Sequence, residues 1–490
     1  ISARSRTRCH TMSSVRPALA FLLALPLFAQ PRLLLNPADI SRIKATAAAE
    51  PWAREVVDSL IHRADNWPQS HLREYGLKEW ALPSEGAGWS HAYVCPEHGM
   101  RLQQKAGHNI CPVDGKDHHG YPIDNVVYMQ RNSDNVRAAR DIALAFLLTG
   151  NEVYAAKARA IINAYTPLYK TLPVHDNNNR LNTPSGARVM SQTLSEAGWL
   201  APLVFAYDLV RDTMPQAERD AFETSVLREA AQVIGKYDMK KSNWQSWHNA
   251  ALLAVGLTVN DKALVEKALD GPSGFNFQMR ESITADGPWY EGAWGYHFFS
   301  VEPLELTYQM ARRAHIDLPS ASALQRMLAA PKRAAFPDGT LPNFNDSDLE
   351  KVSELGKPLN RLVWGELPFS LPAIDQEVSD LMPDAGVATL RVRGSDHTLA
   401  VKFGPHGGGH GHRDKLTFIS FANGAHLAAD AGSQAYAARS HATWDKTTLA
   451  HNTVVIDETD QAEATGKLLS WTALPDAVAI ELDAGPAYNS

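Results

Sequence analysis

Residues 403–436 read FGPHGGGHGHRDKLTFISFANGAHLAADAGSQAY, and this stretch says most about how the chain folds. Apolar residues alternate in the LAVKF run that ends at Phe403 and again over residues 415–421. That period of two is the mark of a strand with one buried face. Asn423-Gly424 separates the second run from a third at 426–429. It is a two-residue hairpin signal, because both turn positions take positive φ. Between the first two strands lies a glycine-rich loop with His406, His410 and His412, three histidines in seven residues. Glycine lets such a loop fold tightly and bring imidazoles onto a ligand. Asp430 ends the hairpin, and His451 follows in His451-Asn452-Thr453. His412, Asp430 and His451 offer two nitrogens and a carboxylate, a donor set that suits zinc and leaves one position for water. With a turn at 423 and 424, Asp430 should pair opposite Thr417, so the loop must curl back to bring His412 beside it.

Further strands are expected at 387–392, 399–403, 453–456 and 477–482, giving an antiparallel sandwich-type domain. The chain stops just after a strand, so the sheet reads as incomplete. Upstream, 354–383 is rich in Pro and Leu and reads as a linker with one short helix. Before it the pattern is helical. Asn36-Pro37 reads as an N-cap followed by Pro at the first helical position. Residues 133–148 carry apolar residues at helical spacing and stop at Gly150. Further helices are expected at 151–165, 187–212, 216–236, 246–259, 261–269 and 298–313. Serial helix hairpins must bury their faces on one another, which predicts a solenoid curved or closed into a toroid. The expected division is 31–355 for the helical toroid and 356–490 for the sheet domain, an α+β multidomain chain.

The N-terminus has a different purpose. Met12 and Arg16 precede an apolar run at 17–28 and then Ala29-Gln30-Pro31, the layout of a cleaved signal peptide. Periplasmic or secreted location follows, and residues 1–11 read as upstream of the start. Elsewhere the apolar runs fall short of the roughly 18 residues that suggest a membrane span. The 490 residues carry a formal charge of −7, which argues against nucleic acid as a partner. An anionic glycan would have to be held by local basic groups, and a homodimer is compatible with the composition. Cysteine is confined to Cys9, Cys95 and Cys111. Cys95, His98, His108 and Cys111 have the spacing C-x2-H-x9-H-x2-C, with ligand types that suit a structural zinc. A Cys95–Cys111 disulfide is equally open in an exported protein.

Two more stretches stand out. Asn243-Trp244-Gln245-Ser246-Trp247-His248-Asn249-Ala250 opens a helix, with Asn243 available as N-cap. Residues 286–297, DGPWYEGAWGYH, form a loop crowded with aromatics.

Taken in order, on helices and then on strands, these three stretches resemble the heparinase II/III-like lyases, including the exolytic alginate and oligoalginate lyases. The GGHGHRDKL segment with its later Asp-x-Gly-Ser carries the resemblance most specifically, and it spans nearly all of the chain from Arg32 onward. It implies an α/α-toroid followed by antiparallel sheet domains, and a polysaccharide lyase acting on alginate oligosaccharides or heparin-type uronans. Tyr296 matches the family's catalytic tyrosine. His248 and Asn249 fall where an Asn/His pair neutralises the substrate carboxylate or takes its proton, with Asn243 a third contender. His410 matches the histidine beside the scissile bond. His412, Asp430 and His451 match zinc ligands that shape the site, and no organic cofactor is implied. Tyr436 matches a tyrosine lining the terminal-sugar pocket, and Arg188 resembles a substrate-contacting arginine. Trp289 and His406 join the expected substrate contacts, while Arg413 stands where the family often has proline.

The implied chemistry has definite needs. β-Elimination removes the C5 proton of a uronate and expels the O4 glycoside. Donors must neutralise the carboxylate, a base must reach C5 and an acid must reach O4. Tyrosine can serve as both if neighbours lower its pKa from near 10. The competing readings are a glycoside hydrolase that uses Asp286 and Glu291 as its carboxylate pair, and a non-catalytic glycan-binding protein.

Overall fold

A computed structural model describes residues 33–365, 370–474 and 477–488. The signal-peptide reading of residues 1–30 and Cys9 lie outside the described residues. No described helix is long and apolar enough to cross a membrane.

The first helix, Pro37–Ala49, begins as its sequence demands. Asn36 accepts from the Asp39 N–H, Asp39 answers on the Asn36 N–H, and Pro37 sits in the first turn. The helices then form two layers. Ile123–Thr149 packs on Thr193–Val210, which packs on Asn243–Thr258, which packs on Trp294–Arg313. Outside them, Glu152–Leu168, Lys262–Asp270 and Ser322–Ala334 each back one of these inner helices. Thr193–Val210 and Asn243–Thr258 are covered on nearly every side, and their sequences show it. In Asn243–Thr258 all residues but Trp244 and Leu257 are buried. This is the α/α-toroid, and one continuous apolar cluster runs through it from Leu33 to Trp364.

Five antiparallel strands follow in sequential order: Asp380–Met382, Val387–Arg391, Thr398–Lys402, Phe418–Ala422 and Ala425–Ala428. Their inward residues Met382, Val387, Ala400, Ile419 and Phe421 pack on Trp294, Phe336 and Phe344 of the helical half. The two halves therefore share a core, which fixes the cleft between them. A separate hairpin pairs Lys467–Ala473 with Val478–Asp483.

Several expectations are corrected. Residues 187–192 are not helical, because Ala187 exchanges backbone hydrogen bonds with His175 and the helix starts only at Thr193. Ser242, not Asn243, caps its helix by accepting from the Gln245 N–H. Residues 453–456 form no strand. The Thr453 hydroxyl bonds the Lys415 carbonyl instead, and Phe418 N–H is taken by Asn452. A β-bulge at Ser420/Phe421 pairs Ser420 with Ala428, one residue past the simple register, so Asp430 does not face Thr417.

One buried carboxyl makes a stability prediction. Burial and the neighbouring Glu302 push Glu305 up to about 7. Its folded value lies above the unfolded one of roughly 4.3, so stability falls as pH rises through that interval. Glu305→Gln is expected to match the wild type in melting temperature at about pH 4 and to exceed it at about pH 8. Equal melting temperatures at both pH values would contradict this.

Candidate active site

The interdomain cleft has a volume of about 990 Å³. Trp89, Trp199, Trp247, Tyr296 and Phe299 give it aromatic walls, and Arg101, Arg137 and Arg140 bring cations to it. Tyr296 lies in the first turn of Trp294–Arg313, held there by the Gly295 N–H on the Ser347 hydroxyl at 3.1 Å. From the sheet half, the histidine loop leaves the strand Thr398–Lys402 and passes directly over the Glu291 backbone. Gly407 makes that approach, with φ of +95° and space for no side chain: a Cβ would sit 2.4 Å from the Glu291 carbonyl oxygen.

The loop delivers His410 onto Tyr296. Their rings stack at 3.7 Å between centroids, tilted by 24°. The Tyr296 and Tyr436 hydroxyls are hydrogen-bonded to each other, and the Tyr436 hydroxyl lies 3.0 Å from His410 Nδ1. Behind them sits Asp346. Its two oxygens lie 2.9 Å from His410 Nδ1 and 2.9 Å from His412 Nε2. A carboxylate only accepts, so each imidazole presents an N–H to it. That leaves His410 Nε2 as the free lone pair, 3.8 Å from Glu291 Oε1. His91 stacks on the Tyr436 ring at 4.2 Å between centroids.

Electrostatics follow from this arrangement. Burial alone would raise the Asp346 carboxyl, but hydrogen bonds from His410 and His412 and the Lys446 ammonium hold it well below the usual carboxylate range. Burial pushes the Tyr296 phenol well above its ordinary value, and the Asp346 and Glu291 carboxylates add to that. The expected lowering of the tyrosine is thus reversed: no cation faces the phenol closely enough to outweigh desolvation. Both phenols hold their protons.

His412, Asp430 and His451 come together on the sheet side. The His412 and His451 rings lie 5.2 Å apart, and His451 Nδ1 is 2.7 Å from Asp430 Oδ2. His412 Nδ1 and His451 Nε2 are buried without a partner. Two orphaned imidazole nitrogens beside a carboxylate fit a divalent metal, which would be held by these residues.

Known proteins resemble both halves of the chain. The model of the alginate lyase family matches residues 83–335, and that of heparinase II/III-like C-terminal domains matches 375–484. The chain belongs to the alginate lyase family. An alginate lyase of Stenotrophomonas maltophilia is 27% identical over 388 residues, 67% of this chain and 52% of the relative. An exo-oligoalginate lyase of Saccharophagus degradans is 23% identical over 392 residues, with the same coverage of 67% and 52%. The chain thus spans about half the length of these curated relatives. A crystal structure of heparinase III covers 94% of this chain and 75% of its own, at 15% identity and a TM-score of 0.57, a likeness of fold.

Within this alginate lyase family member, other expected site residues stand elsewhere. Successive helix residues turn by about 100°, so Asn243 and Trp247 share a face while His248 and Asn249 point away from it. His248 is buried with both ring nitrogens unpartnered, and burial pushes it down to about 3. Asn249 is occupied within the core, donating to the Ser273 carbonyl and accepting from Gln245. Asn243 is the member of the trio that reaches the site, with its amide 3.2 Å from Glu291 Oε2. Arg188 bonds the Leu172 carbonyl and does not line the cleft. Trp289 and His406 border a separate cavity of about 400 Å³ behind the loop. Trp289 donates to Glu291 Oε2 at 2.7 Å, so it braces the site and does not face substrate. Arg413 pairs with Asp460 at the surface.

The hydrolase pair does not form. Asp286 accepts from the Asp384 and Ala385 N–H groups and ties the two halves together. Glu291 is buried between Trp289, Tyr290 and Asn243.

Asp346, His91 and Lys446 were missed by sequence reasoning. Asp346 lies in the polar run Asn343-Phe344-Asn345-Asp346-Ser347-Asp348, whose density of short polar side chains was the available signal.

Proposed function

We propose that this chain is a polysaccharide lyase that cleaves uronic-acid-containing glycans by β-elimination in the interdomain cleft. What carries this reading is the joined set Tyr296, Tyr436, His410 and Asp346, contributed by both halves of the fold. It supplies a phenol as acid and an imidazole as base at one point. The names of the curated relatives, alginate lyase and exo-oligoalginate lyase, favour alginate oligosaccharides among uronans.

In this mechanism the sugar stacks on the cleft aromatics, and its carboxylate is neutralised by donors of the Asn243–His410 region. Asp346 holds the His410 Nδ1–H, which orients the ring and keeps Nε2 as the lone pair that takes the C5 proton. Tyr296 is protonated at rest and gives its proton to the departing O4, with Tyr436 at its hydroxyl to share the proton. Arg101, Arg137 and Arg140 draw the anionic chain into a cleft whose protein carries net negative charge.

His412, Asp430 and His451 would hold a zinc ion in a shaping role. The ion would supply a fixed positive charge that orders the loop. One ion per chain is expected at this site in purified protein, read as the metal that His451→Ala loses. Less than a stoichiometric fraction with activity intact would contradict that role. Residues 1–30 would direct export to the periplasm or beyond.

The function is tested by incubating purified protein with alginate, heparan sulfate and related uronans. Near-ultraviolet absorbance of an unsaturated uronate should rise on at least one of them. Cleavage without that absorbance would overturn the reading.

A further inference from the structure

Cys95 and Cys111 lie in two matching turns on the helical half. In each, the glycine four residues on donates to the cysteine carbonyl: Gly99 to Cys95 at 2.8 Å, Gly115 to Cys111 at 2.9 Å. The cysteine N–H in turn donates to the carbonyl of the residue after the glycine, Met100 in one turn and Lys116 in the other. Both glycines have positive φ, +66° and +73°. Two like knuckles thus face each other and present their sulfurs to the same small space, and both cysteines are free and buried.

The side chains around that space are not those the spacing predicts. His108 turns outward, 62% exposed, onto Asp117 at 2.6 Å. In its place comes His118, carried inward because its backbone N–H bonds the Asn109 carbonyl and the Asn109 amide bonds the His118 carbonyl. Cys95 Sγ lies 3.4 Å from His98 Nδ1 and 3.6 Å from His118 Nε2, and Cys111 Sγ lies 3.5 Å from His98 Nδ1. A tetrahedral zinc with bonds of about 2.3 Å to sulfur and 2.0 Å to nitrogen sets each S···N edge at about 3.5 Å. One imidazole nitrogen cannot serve two thiols in ordinary hydrogen bonds, whereas a single ion serves Cys95, His98 and Cys111, whose ligand atoms all lie within 4.8 Å of one another, with His118 approaching from the Cys95 side.

We propose that Cys95, His98, Cys111 and His118 form a structural zinc site, distinct from the His412, Asp430 and His451 group. On binding, both thiols lose their protons to solvent, and the two thiolates offset the charge of the ion, so the buried cluster is neutral. Closure by four protein ligands marks a structural and not a catalytic centre. The ion would anchor a wall of the cleft, since Gly99, Met100 and Arg101 of the first knuckle all line it and Gly99 faces Ala438 of the sheet half.

The test uses the full chain and does not need activity. Zinc is measured in purified wild type, His118→Ala, His108→Ala and His451→Ala, and a mercurial reagent is titrated against the thiols. In wild type, zinc should be released in step with mercurial capture of the Cys95 and Cys111 thiols, and not of Cys9. His118→Ala should weaken binding of this zinc by more than the roughly 10–100-fold that loss of an outer-shell partner costs, while His108→Ala and His451→Ala keep the thiol-bound ion. Replacing zinc by Co²⁺ should give a thiolate charge-transfer band in wild type and His108→Ala. If His118→Ala misfolds, that band in His108→Ala alone carries the assignment. A Cys95–Cys111 disulfide in peptide mapping, no mercurial-released zinc, or loss of the band in His108→Ala would each overturn the proposal.

Discussion

Tyr296→Phe is expected to lower kcat by about 10²–10⁴-fold, the usual contribution of a general acid, and to leave KM nearly unchanged. The variant removes one oxygen. Its ring keeps the stack on His410 and the edge contact with Phe299, so the melting temperature should hardly move. What disappears is the proton that burial and the neighbouring carboxylates keep on the phenol. Tyr290→Phe is the control, because that hydroxyl bonds the Lys241 carbonyl and borders the cavity behind the loop. Kinetics of both variants on a turned-over uronan check the assignment. An active Tyr296→Phe beside an inactive Tyr290→Phe would refute it.

Asp346→Asn should cost as much, by a different route. Asparagine presents an N–H where one imidazole also presents an N–H, so His410 loses its fixed tautomer and its direction. A loss in kcat of about 10²–10⁴-fold is expected, with substrate affinity largely kept. Stability offers a second readout. The folded pKa of Asp346 is depressed, so its stabilising contribution is present above the unfolded value of roughly 3.9 and is lost as pH falls below it. The melting-temperature gap between wild type and Asp346→Asn should therefore be constant near neutrality and shrink below about pH 4. Retained kcat, or a gap that widens in acid, would show that Asp346 is not the group holding the two histidines.

Local signals in the sequence identify the elements, and three-dimensional convergence decides the site. The Asn423-Gly424 hairpin, the Asn36 cap and the inner helices were legible because each depends on residues within a few positions. The bulge at Ser420 was not, since nothing in the alternation marks an extra residue until the partner strand is present. Tyr296, His410 and Tyr436 were found through motifs, and the fold brings them into contact. His248 and Asn249 were placed by their stretch, yet the helical turn allows only Asn243 and Trp247 to face the cleft side. Asp346 and His118 stayed hidden because each acts through partners that are distant or out of phase in the chain. Asp346 gathers two histidines more than 60 residues away. His118 replaces His108 only because the short hairpin Gln103–Lys105 with His108–Ile110 turns the nearer histidine outward.

The central claim is that this cleft breaks the glycosidic bond by elimination and not by water. The most direct measurement is mass spectrometry of products formed from a uronan in oxygen-18 water. Elimination adds no water, so one new end should carry an unsaturated uronate and, in products reduced at once to stop anomeric exchange, neither end should carry label. Incorporation of oxygen-18 at the new reducing end, without an unsaturated partner, would contradict the account.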